Sequence, residues 1–249
     1  MGEPCTPQDA EGEGAGSPVS RSKKEAEVKR RTETTSGAGV GKQRSLHPQT
    51  IRIRHRLAEW SKQGRKHWDI YRWLMDPYVL LDALKLVLRN GGSPGLDHER
   101  CESIRGREWE YVSRLAQSLR ERSYHPAAVR RVYIPKKDGK ERPLGIPRIR
   151  DRVVQRALVL LMEPIYERIF LDCSYGFRPG RSAPQCAADA AEAMFTRRYV
   201  LEADIEGFFD HVVHRKLKGM LREQIVDPRI LDLIGAFLKS GFIEAKKPW

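Results

Sequence analysis

The first 45 residues contain few large apolar side chains, and this limits where a hydrophobic core can form. They are rich in Gly, Ser, Thr, Glu and Lys. A segment of that composition buries too little apolar surface to offset the entropy lost on ordering. Residues 1–48 are therefore predicted to be a disordered tail. The rest of the 249-residue chain is long enough for one large domain or two small ones.

The part of the chain that can fold carries nearly all of the net charge of +13. Residues 1–50 hold eight Lys/Arg against seven Asp/Glu, whereas residues 51–249 hold 38 against 26. A basic folded body favours a polyanionic partner, and nucleic acid is the first candidate, with an anionic membrane surface as the rival. The sequence contains no run of about 18 apolar residues, so no segment is expected to span a bilayer.

Cysteine usage gives no indication of a zinc site or of a disulfide framework. Cys5, Cys101, Cys173 and Cys186 form no CxxC pair and no cluster with histidine. The N-terminus also lacks the apolar core of a signal peptide. Unpaired thiols in a chain without such a signal are typical of reduced intracellular proteins, and we expect a cytoplasmic location.

Hydrophobic periodicity predicts an α+β fold. Two segments alternate in the manner of strands on either side of a hairpin turn at 137–140. A third, short apolar segment that ends near Asp204 is also predicted to be a strand. The predicted helices span 57–73, 77–89, 109–122, 151–169, 184–195 and 215–238, and the predicted strands span 129–135, 142–147 and 199–205.

Asp204 stands close to the end of the predicted strand 199–205. A carboxylate held on a strand suits Mg²⁺, which takes oxygen ligands and keeps several waters, in a site for two metals about 4 Å apart. Asp210 follows six residues later, and both carboxylates can face one site only if a turn intervenes at Gly207. The alternative is that Asp204 is an ordinary turn former or helix cap.

Two basic stretches offer contacts for phosphate. Lys136 and Arg142 lie on adjacent strands of the predicted hairpin, where a point charge and a guanidinium fork together suit a triphosphate. The alternative is an exposed edge that lysines keep soluble. In the loop 175–182, aromatic residues alternate with Arg178 and Arg181, which suits base stacking and phosphate pairing. The alternative there places the aromatic rings in the core and the arginines in solvent.

Four motifs, in the same order along the chain, resemble those of the reverse transcriptases that group II introns encode. They are NGGSPGLD at 90–97, YIPKKDGKERPLGIPRIRDRVVQ at 133–155, SYGFRPGRS at 174–182 and LEADIEGFFDHV at 201–212. The resemblance implies the fingers and a partial palm of a right-hand polymerase. It assigns 49–125 to a helical extension and the start of the fingers, 126–198 to the fingers and 199–249 to the first part of the palm.

The resemblance also implies roles for residues around Asp204. Asp204 matches the first catalytic aspartate, which is a ligand of both Mg²⁺ ions, and the backbone carbonyl of Ile205 would help to bind one of them. Phe209 matches the bulky residue that stacks below the sugar of the incoming nucleotide and excludes a 2′-hydroxyl group.

Further roles fall on the basic stretches. Lys136 and Arg142 match the residues that grip the triphosphate. Arg178 and Arg181 fall in the motif that lies along the template and the incoming nucleotide, and the motif at 90–97 helps to cover the template.

The implied activity is RNA-templated DNA synthesis, in which a primer 3′-hydroxyl attacks the α-phosphate of a dNTP with the help of two Mg²⁺ ions. The implied partners are an RNA template or intron RNA, a DNA primer and a dNTP. The family's Pro-Gln-Gly motif and its Tyr-x-Asp-Asp hairpin, which supplies two further aspartates, do not occur in this sequence. We therefore expect a truncated or frameshifted fragment that is inactive alone. The alternatives are an RNA-binding maturase module that assists splicing, or a non-functional remnant.

Overall fold

The computed structural model describes residues 46–135, 139 and 141–244. The predicted mixture of helices and strands is confirmed, and most of the predicted tail 1–48 lies outside the described residues. The helices are α1 (Pro48–Lys62), α2 (Tyr71–Leu74), α3 (Pro77–Asn90), α4 (Glu108–Arg120), α5 (Ile149–Tyr166), α6 (Ala183–Thr196), α7 (His214–Arg222) and α8 (Pro228–Lys239), and the strands are β1 (Val129–Pro135), β2 (Glu141–Ile146) and β3 (Phe242–Glu244).

Capping side chains and prolines mark the starts of α1, α3, α6 and α8. The side chain of Asp76 accepts a hydrogen bond from the backbone N–H of Tyr78 at 2.9 Å, and Pro77 takes the first helical position of α3. Such a cap satisfies one of the amide groups that lack a partner within the helix, and proline lacks the N–H in any case. Asp227 and Pro228 begin α8 in the same way.

Two predicted helices are wrong in their extent. The segment 57–73 does not form one helix, because α1 begins already at Pro48 and ends at Lys62. Gly64 follows with φ +67°, a left-handed conformation that glycine adopts readily and that commonly ends a helix. The segment 215–238 is also divided, because Asp227 and Pro228 interrupt it and start α8.

The hydrophobic core lies between α1, α3, α4 and α5. Its members recur at three- and four-residue spacing, which places them on one face of each helix. Residues with no exposed surface include Leu57 of α1, Leu80 and Leu84 of α3, Leu119 of α4 and Leu161 of α5. None of the helices in the described part of the chain combines the length and the apolar character needed to cross a bilayer.

A proline inside α5 depends on a side chain of α1. Pro164 has no N–H, so it cannot donate to the carbonyl of Leu160, four residues earlier. Arg54 takes over this role, since its Nη1 donates to the Leu160 oxygen at 2.5 Å and its Nη2 to Glu163 at 2.5 Å. The contact joins α1 to α5 at the point where the hydrogen-bond ladder of α5 is broken.

The strands form a single small sheet with the order β2–β1–β3. The predicted hairpin is confirmed, since β1 and β2 are antiparallel with Ile134 opposite Arg142. Strand β3 runs parallel to β1, with Val129 opposite Phe242. The sequence analysis does not predict β3, because three residues are too few for an alternating pattern to be recognised.

The predicted strand 199–205 is wrong. These residues have no regular secondary structure, and apolar side chains among them are largely exposed, with 89% of Tyr199 and 91% of Leu201 open to solvent. A strand needs a neighbour that takes up its backbone hydrogen bonds, and no strand in the described ranges pairs with this segment. Its apolar pattern therefore has no sheet to join.

Candidate active site

Asp204 lies on an exposed segment and is available to a ligand. Residues 199–210 are all exposed, and 66% of the neighbouring Ile205 is open to solvent. The carboxylate of Asp204 makes no hydrogen bond or ion pair with any residue that the structure describes. Among these residues it is therefore neither a helix cap nor the side-chain acceptor of a turn, which were the two alternatives left open by the sequence, and its oxygens can accept a hydrogen bond or bind a cation.

A tight turn at Gly207 separates Asp204 from Asp210. Gly207 has φ +57° and ψ +34°, and its carbonyl accepts hydrogen bonds from the N–H groups of Asp210 at 3.0 Å and His211 at 3.2 Å. A Cβ at this position would lie 3.0 Å from the His211 ring, so both the backbone conformation and the available space require glycine. The turn that a two-aspartate site requires is thus present.

Two phenylalanine rings follow the turn. Phe209 exposes 84% of its surface and Phe208 exposes 51%. The two rings meet edge to face, with centroids 5.3 Å apart and an interplanar angle of 70°, a favourable geometry for aromatic pairs. The exposed ring of Phe209 offers a flat apolar surface to a sugar or a base.

The described residues supply only part of a metal site. Nowhere in 46–135, 139 and 141–244 do three or more carboxylate, imidazole or thiol groups converge in a way that could hold an ion. Mg²⁺ prefers six oxygen ligands in near-octahedral geometry, and substrate phosphates and water can provide several of them. The carboxylate of Asp204 and the carbonyl of Ile205 have the right chemistry, but they fit Mg²⁺ only together with oxygens from elsewhere.

Arg142 projects from the edge strand β2. It is exposed and makes no hydrogen bond or ion pair with another residue in the described part of the chain. Lys136, its predicted companion, lies outside the described residues. The register pairs Ile134 with Arg142 and Pro135 with Glu141, so Arg142 stands close to the end of the hairpin.

Arg178 is bound inside its own loop. Its Nε and Nη2 atoms donate to the carboxylate of Glu167 at 2.8 and 3.2 Å. Its Nη1 atom donates to the carbonyls of Leu171 at 2.6 Å and Ser174 at 2.9 Å. Only 7% of the side chain is exposed. The arginine therefore ties the loop after α5 to the end of that helix and is not the solvated residue of the sequence-based alternative.

Arg181 and the loop aromatics are arranged around Arg178. Arg181 donates to the carbonyl of Asp172 at 2.7 Å and to its carboxylate at 2.8 Å, and its guanidinium stacks over Tyr175. The Tyr175 hydroxyl donates to Asp189. Phe177 adopts φ +59°, rare for a bulky residue, and its ring is fully exposed. Phe177 is thus not a core residue, whereas Tyr175 is half-buried.

Arg152 holds the loop that follows α3, and sequence reasoning missed it. It donates to the carbonyls of Gly91 at 3.2 Å and Ser93 at 2.5 Å. Gly95 lies so close to the start of α5 that a Cβ there would be 2.7 Å from the Cα of Arg148. A glycine-rich loop without regular structure must find external donors for its carbonyls, but this requirement does not show which arginine provides them.

Comparison with known proteins finds relatives over most of the chain. A family model described as "Reverse transcriptase (RNA-dependent DNA polymerase)" matches residues 134–247. Protein YkfC of Escherichia coli (strain K12) is 37% identical over 204 residues, which cover 77% of this chain and 53% of YkfC. Group II intron-encoded protein LtrA of Lactococcus lactis subsp. cremoris is 36% identical over 196 residues, which cover 76% of this chain and 32% of LtrA. The chain thus spans about half of the first relative and about a third of the second.

Proposed function

We propose, since the chain belongs to the reverse transcriptases that group II introns encode, that it forms the nucleotide-binding part of an RNA-directed DNA polymerase. The observation that carries the proposal is that an exposed carboxylate, Asp204, and the exposed ring of Phe209 lie on either side of the turn at Gly207 in the chain. Both residues lie in the region that the reverse transcriptase model matches. A carboxylate beside an aromatic surface suits a nucleotide with its bound cation.

The finer architecture belongs to the same proposal. We assign residues 126–198 to the fingers and residues from 199 onward to the first part of the palm, with 49–125 as the helical extension and the start of the fingers. The antiparallel hairpin of β1 and β2 supports the fingers assignment, because it presents Arg142 at an exposed edge. The tie between Arg152 and the loop after α3 supports a template-covering role for that loop, since it fixes the loop against the start of α5, the helix that follows the hairpin in the chain.

Each residue has a defined task in this proposal. Arg142, together with Lys136, binds the triphosphate of the dNTP, and Phe209 supports the sugar and leaves no room for a 2′-hydroxyl group. Asp204 and the Ile205 carbonyl would hold Mg²⁺. When bound, the metal ions neutralise charge on the phosphates as the primer hydroxyl attacks. Arg178 and Arg181 hold the shape of their loop, which lies along the RNA template and positions the template.

The 249 residues do not contain all the carboxylates that such a site needs, because they include no Tyr-x-Asp-Asp segment. We expect a polypeptide of this sequence to synthesise DNA only when further carboxylates come from another segment or another chain. Primer extension on poly(rA)/oligo(dT) with the purified polypeptide and Mg²⁺ tests this expectation. Robust synthesis by the polypeptide alone would show that the site is complete without them.

Nucleotide binding tests the proposal directly. The measurement is equilibrium binding of dTTP to the polypeptide on poly(rA)/oligo(dT) with Mg²⁺. Replacing Arg142 by glutamine is expected to weaken binding about tenfold, since a charge-assisted hydrogen bond contributes roughly 1.5–3 kcal/mol. The matched control is Arg114→Gln, which removes an exposed arginine of α4 that is paired with Glu110 and should leave binding unchanged. Equal loss in both variants would contradict the assignment of Arg142.

A second candidate function is RNA binding without catalysis, as in a maturase that assists splicing. It is favoured by the basic stretch 126–181, which holds 13 Lys/Arg against six Asp/Glu and needs no metal to attract RNA. Binding of an intron RNA that persists in Asp204→Ala and weakens in Arg142→Gln would support this role. Intron RNA binding that is equal in the wild type and in Arg142→Gln would count against it.

A further inference from the structure

Basic side chains of α7 and α8 line a groove that the proposed active site does not use. His214, Arg215, Lys218 and Arg222 form its α7 side, and the groove has a volume of about 540 Å³. Residues four apart in a helix lie on the same face, about 6 Å apart along the axis. His214, Lys218 and Arg222 therefore form a row along the groove, with Arg215 beside it.

The side of the groove that α8 provides combines two small residues with Asp232, Leu238 and Lys239. Gly235 and Ala236 contribute little side-chain volume, and a Cβ on Gly235 would lie 3.3 Å from the Nζ atom of Lys218. Lys239 adds a further cation at the C-terminal end of α8. The groove between the two helices is thus lined mainly by basic side chains, and Gly235 and Ala236 leave space on its α8 side.

The cations of this groove are poorly neutralised. Asp232 is the one carboxylate among its lining residues, and it lies 3.6 Å from Lys218 with 79% of its side chain exposed. Arg215, Arg222 and Lys239 are exposed and form no ion pair with any residue in the described ranges. Four cations against one carboxylate repel one another, and a polyanion in the groove relieves this repulsion.

Contacts on another face of α7 hold this helix in the orientation that places its basic side chains in the groove. Leu217 and Leu221, on another face of α7, line an apolar groove formed with α5 and α8. The carbonyl of Leu221 accepts a hydrogen bond from Tyr166 of α5 at 3.3 Å. The chain after α7 is anchored as well, because His67 exchanges backbone hydrogen bonds with Gln224 at 2.9 Å and Val226 at 3.0 Å.

We propose that the groove between α7 and α8 binds the phosphodiester backbone of an RNA strand, as a second RNA contact in addition to the proposed active site. The choice of RNA as the ligand rests on the proposed function. A row of cations about 6 Å apart along one helix face suits the regularly spaced phosphates of a strand. No Phe, Tyr or Trp lines the groove, so it contacts the backbone without stacking on bases and binds RNA without sequence preference.

Salt-dependent binding of a fluorescein-labelled 20-mer of oligo(U) tests the proposal. Fluorescence anisotropy between 50 and 300 mM KCl compares the wild type with Arg215→Gln/Arg222→Gln. Each phosphate contact to a single strand contributes about 0.7 to the slope of log K against log salt, so the double variant should lose about 1.4. The matched control is Lys62→Gln/Arg114→Gln, which removes the same charge from exposed residues that are paired within their own helices. The control should keep the wild-type slope.

Each outcome separates this proposal from the proposed function. If the wild type binds oligo(U) and the slope falls equally in both double variants, or in neither, the groove proposal is overturned while the proposed function stands. Failure of the wild type to bind any RNA would overturn the proposed function as well. If the groove variant weakens binding of labelled poly-glutamate but not of oligo(U), the partner is an acidic protein and the RNA proposal is wrong. Should the double variant melt early, Lys239→Gln alone is expected to lower the slope by about 0.7.

Discussion

Replacing Arg54 by alanine is expected to destabilise the helical core, because one carbonyl of α5 depends on this side chain. Pro164 cannot donate to the Leu160 oxygen, and the Nη1 atom of Arg54 occupies that position at 2.5 Å. The Nη2 atom of the same guanidinium donates to Glu163 at 2.5 Å. The variant therefore removes two hydrogen bonds and leaves a partly buried carbonyl without a donor.

The magnitude follows from these two contacts. A hydrogen bond with one charged partner contributes about 1.5–3 kcal/mol. The ion pair adds less, because 22% of Arg54 and 26% of Glu163 side-chain surface is exposed and partly solvated pairs contribute about 1 kcal/mol or less. We expect Arg54→Ala to lower the free energy of unfolding by about 2–3 kcal/mol. For a domain of this size that corresponds to a fall in Tm of roughly 5–10 °C.

A double-mutant cycle with Pro164→Ala isolates the contribution of the carbonyl. In the Pro164→Ala background the chain regains an N–H that can donate to Leu160, so Arg54→Ala should then cost only the ion pair. Urea denaturation followed by circular dichroism should give a coupling energy of about 1–2 kcal/mol. The control Arg114→Ala, in an exposed pair with Glu110, should show no coupling to Pro164→Ala. Additive effects of Arg54→Ala and Pro164→Ala would refute the argument.

Three further substitutions test other contacts. Asp227→Ala should lower the free energy of unfolding by about 2–4 kcal/mol, because this fully buried carboxylate accepts a hydrogen bond from the backbone N–H of Tyr71 at 2.9 Å. Urea denaturation measures the change, and an unfolding free energy equal to that of the wild type would contradict a stabilising role for this contact. Burial lowers the pKa of His67 in the folded chain. The imidazole therefore takes up a proton at a higher pH in the unfolded chain than in the folded one, and the free energy of unfolding should fall as the pH drops below about 6.5. Melting His67→Gln at pH 5 and 7.5 should show a smaller difference than the wild type. Gly95→Ala should lower the free energy of unfolding by about 1–3 kcal/mol, because the new Cβ would collide with the backbone of Arg148. The substitution should also make the loop after α3 easier for a protease to cleave, and an unchanged cleavage rate would argue against the close approach of Gly95 to Arg148.

The sequence predicts those elements whose formation depends on local signals. The start of α3 at Pro77 and the strand β1 agree with the predicted bounds, because a capping aspartate, a proline and an alternating pattern all act within a few residues. The parallel pairing of β3 with β1 is missed, since it joins segments more than 100 residues apart and leaves no local signature.

The predicted strand 199–205 fails for a different reason. The segment is rich in apolar residues, but a short apolar segment does not show whether a neighbouring strand exists to pair with it. Tyr199 and Leu201 remain exposed where no described strand accompanies them. The helical core depends on neighbours much less, because a helix forms most of its backbone hydrogen bonds within itself; the Leu160 carbonyl of α5, which Arg54 of α1 satisfies, is an exception.

The predicted site residues differ in whether their side chains already form hydrogen bonds within the protein. Arg178 makes four hydrogen bonds within its loop, and a guanidinium has only five N–H donors. A phosphate could engage Arg178 fully only by displacing Glu167 or a loop carbonyl, so we expect its influence on a template to act through the loop, where Phe177 stands exposed in a strained conformation. Asp204 and Arg142, in contrast, keep their polar atoms free of the residues that the structure describes. We therefore expect direct contact with a nucleotide to involve Asp204 and Arg142, and the dTTP-binding measurement tests Arg142 for this reason.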